Sequence, residues 1–206
     1  MVNKADSRAP QSRAPQSRAT QTALPQTGVP GSRAPKAEVS PTWASRDREG
    51  VYRELEHPAD LLLEITGRDL ATLFENALFA FYDQVAELGG FGASREMVIT
   101  ASGTSPPDAL RALLNEALYR FETEGFVAVG AQVAVETAIP PEGAGLPAGE
   151  ARPEPGGVEV VARLWGEKAA GDRHTLTAEI KAVTYHRLAL DLMPDGAYRA
   201  TVLFDV

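Results

Sequence analysis

No cysteine occurs anywhere in the 206 residues. Disulfides, zinc-thiolate sites and thiol nucleophiles are therefore excluded together, and any metal must be held by oxygen or imidazole. Histidine is scarce too: His57, His174 and His186 are the full set. With Asp60 they could build a zinc or iron site, but no H-x-x-x-H or similar ligand spacing is present. Also missing are a G-x-S-x-G elbow, a phosphate-binding P-loop and a G-x-G-x-x-G turn, which speaks against the common nucleotide-dependent enzymes and serine hydrolases. No apolar run approaches the length needed to span a bilayer, and the N-terminus has no apolar leader. A soluble, cytoplasmic protein is expected.

Large apolar side chains are rare in residues 1–46, where "SRAPQSRAPQSRATQ" and its echo "GSRAPKA" repeat Pro, Ser, Gln, Ala and Arg. Such a segment cannot bury enough surface to offset its ordering entropy, so a disordered low-complexity tail is expected there. The tail is basic while the whole chain carries a net charge of −8, so residues 47–206 must be more acidic still. An acidic domain repels the phosphate backbone, which points to proteins, metal ions or basic surfaces as partners.

Periodicity starts at Tyr52. Leu61, Leu62, Leu63 and Ile65 make a short apolar run that suits a strand with a covered face. In "DLATLFENALFAFYDQVAELGG", Asp69 is placed to cap a helix whose buried face takes Leu70, Leu73, Phe74, Ala77, Leu78, Phe81 and Val85, with Gly89 and Gly90 as its stop. "REMVITASG" predicts a second strand. A second helix follows, with Ser105 as N-cap, Pro106 in the first turn, Asp108 facing the helix dipole, a stripe from Leu110 to Phe121, and Gly125 as stop. "FVAVGAQVAVE" predicts a strand, and the Pro/Gly-rich stretch 137–157 a flexible insertion at a hairpin tip. Three strand-like runs close the chain: "VEVVARLWGEK", "HTLTAEIKAVTYHRLALDL" and "AYRATVLFDV". The expected fold is α+β, a mixed β-sheet with two amphipathic helices packed on one face.

Alternation in "TLTAEIKAVTYHRL" places Leu176, Ala178, Ile180 and Ala182 on one face and Lys181 on the other. The same parity sends Thr184 and His186 away from Lys181, so either two surfaces are served or a bulge re-aims the polar residues. Asp205 lies one residue from the final carboxylate, and a hard cation is one means of reconciling two such negative groups. His57 and Asp60 stand at the entry of the first long strand.

In chain order, "EHPADLLLEI", "LFENALFAFYDQV", "ALRALLNEALYRFETEG", "WGEK", "EIKAVTYHRLAL" and "VLFDV" resemble the archease family, over Val51 to Val206. The resemblance implies a small α+β protein that is an activator rather than an enzyme. Its partner would be an RtcB-type RNA ligase, which joins tRNA halves and other cleaved RNA ends with GTP and manganese. The archease promotes guanylylation of the ligase's active-site histidine and permits multiple turnover, meeting RNA only through the ligase.

The resemblance further implies a divalent-metal site at Asp60, Asp205 and the carboxylate or carbonyl of Val206. Calcium is the first expectation for such an all-oxygen site, with magnesium or manganese as alternatives. His57, Lys181, Thr184 and His186 fall in the family's motifs and are expected around the metal or at the partner contact. Where the family usually has Thr, this chain has Pro58, which removes a hydroxyl and a backbone donor. Two rival functions are a metal-dependent hydrolase or nuclease using Asp60, Asp205 and His186, and a chaperone-like interaction module.

Overall fold

The structure is a computed structural model and describes Trp43, Gly50–Thr137 and Gly157–Val206. All of these lie in one compact unit, Val39–Val206. The expected disorder of the remaining tail and most of the 137–157 insertion lie outside the described residues. Trp43 falls within the segment 1–46, yet it is buried and its ring sits 5.6 Å from that of Phe79.

Eight strands and two helices are described. They run β1 (Tyr52–Leu55), β2 (Leu61–Gly67), α1 (Leu70–Val85), β3 (Arg95–Gly103), α2 (Pro106–Glu124), β4 (Phe126–Thr137), β5 (Val158–Lys168), β6 (Ala182–Val183), β7 (Ala189–Leu192) and β8 (Tyr198–Asp205). The fold is α+β. Its strands divide into two sheets, and the described pairings are all antiparallel. One sheet has the order β1-β2-β8-β6, with β7 also paired to β8; the other is β3-β5-β4.

Both helices begin where side-chain chemistry predicts. Asp69 accepts the Thr72 N–H at 2.7 Å, and Ser105 accepts that of Asp108, satisfying amide groups that a helix start leaves without partners. Helix α2 ends on Gly125 at φ 65, a left-handed conformation that glycine adopts without steric cost. Helix α1 ends earlier than the glycine pair suggests. Its last residue is Val85, and Gly89 and Gly90 instead belong to a short 3-10 turn, Leu88–Gly90.

Helix α1 is buried on almost every side, because it packs against both β2 and β4. Beyond the expected stripe it buries Phe79, Ala80, Tyr82 and the polar Asn76 and Asp83. Asn76 donates to the Thr66 carbonyl at 2.6 Å, and Asp83 takes the Tyr52 hydroxyl, so each buried polar group reaches across to the adjacent sheet. Helix α2 packs chiefly on β3 and presents Leu110, Leu113, Leu114, Ala117 and Leu118 to the core. No described helix is long and apolar enough to cross a membrane.

The run 174–192 departs most from expectation. Only Ala182–Val183 and Ala189–Leu192 are strands, and Leu176 is exposed although alternation put it on the same face as the buried Ile180. Buried Ile180 and Val183 are three apart, which a continuous strand does not allow. Both β6 and β7 pair with the edge of β8 opposite β2. From Val183↔Phe204 to Ala189↔Thr201 the chain advances six residues against three on β8, and the excess loops out at 184–188. The turn closes through Leu188 N–H to Tyr185 O at 3.2 Å, with Arg187 at φ 56.

Candidate functional site at the end of the central strand

Strand β8 is the hub of the five-stranded sheet, and its far end is where the polar motifs meet. Phe204, fully buried and 6.2 Å ring to ring from Phe81 of α1, anchors that end to the core. On one side Leu61 pairs with Phe204, so Asp60 takes the next register position, facing Asp205. On the other side Ala182 pairs directly with Asp205. Lys181 N–H donates to the Asp205 carbonyl at 2.8 Å, and Thr184 N–H to the Leu203 carbonyl at 3.2 Å. Three segments far apart in sequence are thus fastened at one place by backbone bonds.

The entry motif forms a tight turn. Asp60 N–H donates to His57 Nδ1 at 3.1 Å, while the Asp60 carboxylate lies 3.5 Å from that nitrogen. Because Nδ1 accepts from the amide, the neutral ring carries its proton on Nε2. Pro58 is exposed and takes no part in closing the turn, so its missing N–H leaves this geometry intact. The side chain of His57 is largely covered and that of Asp60 partly so, whereas Asp205, Val206, Lys181 and His186 are exposed.

Carboxylates at facing positions of an antiparallel pair repel, and a cation between them relieves the cost. The expected ligands, Asp60, Asp205 and the Val206 main chain, offer hard oxygen donors only. Among the described residues, however, no group of three or more His, Cys, Asp or Glu side chains is gathered closely enough to hold a metal. The hydrolase alternative therefore lacks, among those residues, the three-ligand cluster of Asp60, Asp205 and His186 that it needs. His186 lies in the looped-out turn, away from the β2–β8 rungs.

Some groups at and around this edge escaped the sequence reading. Arg111 of α2 lies over the ring of Tyr185, with its guanidinium carbon 3.8 Å from the ring centroid. Asn115 of the same helix donates to the Val183 carbonyl at 3.4 Å, which holds α2 against β6. Elsewhere, His174 is buried and stacked on Phe91 at 3.9 Å. Its Nδ1 accepts the Ala170 N–H at 2.9 Å, and its Nε2 is 3.2 Å from Glu167 but off the line of a hydrogen bond. Glu167 also takes the Gly92 N–H at 2.8 Å, which holds its carboxyl below the usual range. The sequence signals were an arginine between helix leucines and, for Glu167, its place in "WGEK" seven residues before a His.

The sequence matches the Archease protein family (MTH1598/TM1083) over residues 52–206. The chain belongs to the archease family. Its relatives include Protein archease of Archaeoglobus fulgidus, 33% identical over 155 residues that cover 75% of this chain and 98% of the relative. Protein archease of Pyrococcus furiosus is 26% identical with the same coverage. A Protein archease-like chain of Caenorhabditis elegans is 27% identical over 145 residues, covering 70% of this chain and 83% of its own. The solution structure of Methanobacterium thermoautotrophicum Protein 1598 has the same fold, with a TM-score of 0.58 and 22% identity over 75% of this chain and 98% of that one. The family match spans the whole edge described above, from the His57–Asp60 turn to Val206.

Proposed function

We propose that this chain is an archease-type protein cofactor, without turnover of its own, that activates an RtcB-type RNA ligase in the cytoplasm. It promotes guanylylation of the ligase histidine and sustains multiple turnover. Family membership supports this role, and the observation that carries it is the facing placement of Asp60 and Asp205 at the end of β8. Asp60, Asp205 and the Val206 main chain would hold a divalent ion, calcium first, with magnesium or manganese as alternatives. When bound, that ion would supply positive charge between the two carboxylates.

The chain's own residues do the rest. His57 fixes the Asp60 turn through the Asp60 N–H, and Lys181 and Thr184 tie the motif segment to β8, so the two carboxylates are positioned before any partner arrives. Lys181 and His186, both exposed, are available to the ligase surface. The test is guanylylation of an RtcB-type ligase with limiting amounts of this chain. Activation should appear with the parent and fall at least tenfold with Asp60→Ala or Asp205→Ala. Full activation by both variants would refute the role of the carboxylate pair, and no activation by the parent would refute the function.

A further inference from the structure

Several cations without an ion-pair partner stand at one edge of an otherwise acidic protein. Arg53, Arg68, Arg95, Arg120, Arg163 and Arg199 each lie within ion-pair distance of a carboxylate. Among the described residues no carboxylate lies within ion-pair distance of Arg111, Lys168, Arg173, Lys181 or Arg187, and three of these five flank the 181–187 segment; Arg173 acts on Glu167 and Arg111 on Asp108 only at longer range. Lys181 and Arg187 are exposed, and they bracket the segment "KAVTYHR", which contains no acidic residue. The chain as a whole carries −8, so the local excess of positive charge runs against the composition.

The looped-out turn is what carries the segment between Lys181 and Arg187 up to α2. It projects Tyr185 from the sheet onto Arg111 of α2, where the guanidinium covers one ring face. Tyr185 remains 62% exposed, which leaves the ring face away from Arg111 toward solvent. Two buried polar atoms beside it have no hydrogen-bond partner: Arg111 Nε and Thr184 Oγ1. A guanidinium lying over an aromatic ring leaves its N–H donors directed outward in its own plane, where an oxyanion at the ring's edge can meet them. Asp108, one turn before Arg111, is engaged by the Thr104 and Ser105 hydroxyls. Asp205 borders the other end, beside Lys181.

Guanidinium and hydroxyl donors without partners, exposed cations and an open aromatic face are together the requirements for a phosphate attached to a base. We propose that Arg111, Thr184, Tyr185, Lys181 and Arg187 form a nucleotide-phosphate binding site on this chain itself. The phosphate is held by Arg111 and the two flanking cations, and a base stacks on the open face of Tyr185. This goes beyond ligase activation, in which RNA is met only through the ligase. The shared chemistry is a nucleotide phosphate, and its two sources are a free nucleoside triphosphate and single-stranded RNA.

The experiment uses the full chain without ligase, so its outcome is independent of the activation assay. Arginine Nε–H signals of the 15N-labelled protein are followed during titration with GTP and, separately, with a short single-stranded RNA; Arg111→Lys identifies the Arg111 signal. A saturable shift of that signal with either probe is expected, and the probe that produces it names the source. In parallel, RNA binding by anisotropy is compared for the parent and Arg111→Gln/Lys181→Gln/Arg187→Gln between 50 and 200 mM salt. Each lost phosphate contact lowers the log–log salt slope by about 0.7 for a single strand, so the slope should fall by about two and the affinity at least tenfold. The basic N-terminal segment is common to both proteins and cancels in the comparison. An Arg111 signal unmoved by both probes overturns the proposal, even if the triple variant binds less; where RNA is the probe that shifts the signal, an unchanged slope and affinity in a folded triple variant overturns it as well.

Discussion

Replacing Gly166 with alanine tests how closely the two long strands of the smaller sheet approach. A Cβ built there would lie 2.0 Å from the Val127 carbonyl oxygen and 2.7 Å from Ala128 Cα, both backbone atoms of β4. Ordinary contact begins near 3.4 Å, so the strands must part by about 3.4 − 2.0 = 1.4 Å at the rung where Gly166 pairs with Ala128. That displacement breaks roughly two ladder hydrogen bonds, at about 1 kcal/mol each, and loosens core packing by about a further 1 kcal/mol. Alanine's smaller unfolded-state entropy returns about 0.5–1 kcal/mol. The net loss is about 2–2.5 kcal/mol, or a fall in Tm of about 4–10 °C for a unit of this size. Thermal unfolding followed by circular dichroism measures it, with Gly171→Ala as control because nothing lies within 4 Å of a Cβ there. If Gly166→Ala melts within 1 °C of the control, the inferred contact between the strands is wrong. The same contact gives the "WGEK" motif its physical content: glycine where β4 crosses, then the glutamate that fastens Gly92.

Ser105→Ala removes the N-cap of α2 and should cost about 1 kcal/mol by urea unfolding, with the m-value unchanged. The Glu167 carboxyl is held low first by the Gly92 N–H, so its folded pKa lies below its unfolded value. Its contribution is then fully present above the ordinary glutamate range and is lost as pH falls through the depressed folded value. Glu167→Gln should accordingly be less stable than the parent near neutrality and show a shallower decline in acid; parallel curves down to pH 3 would contradict this.

Local signals were the ones the sequence carried well. Asp69, Ser105 and Gly125 act through bonds to residues a few positions away, and each is found in its expected role. The facing of Asp60 and Asp205 depends on the antiparallel register of β2 with β8, a long-range fact, and it became legible only through resemblance to a family. Periodicity failed where tertiary packing overrode it. Helix α1 is wedged between the two sheets, so Asn76, Phe79 and Asp83 are buried off its amphipathic face. The Ile180–Val183 spacing and the turn at 184–188 broke the parity assumed for a continuous strand. Arg111 has no motif at all, since nothing in a helix sequence announces that a tyrosine seventy-four residues later will lie beneath it.

The two sides of β8 differ in how readily they open. Its β2 side is a continuous ladder of seven pairs, whereas on the other side β6 contributes two and β7 four, separated by three surplus residues. Sub-global opening follows the weaker boundary. Amides of Ala182 and Val183 should therefore exchange with solvent well before those of Leu62 to Ile65. One wall of the carboxylate edge is thus a small cooperative unit that can detach and re-form at the cost of Val183 alone from β6, while the rest of the hydrophobic core stays closed, and a partner that grips this wall would raise its protection without touching the rest of the fold.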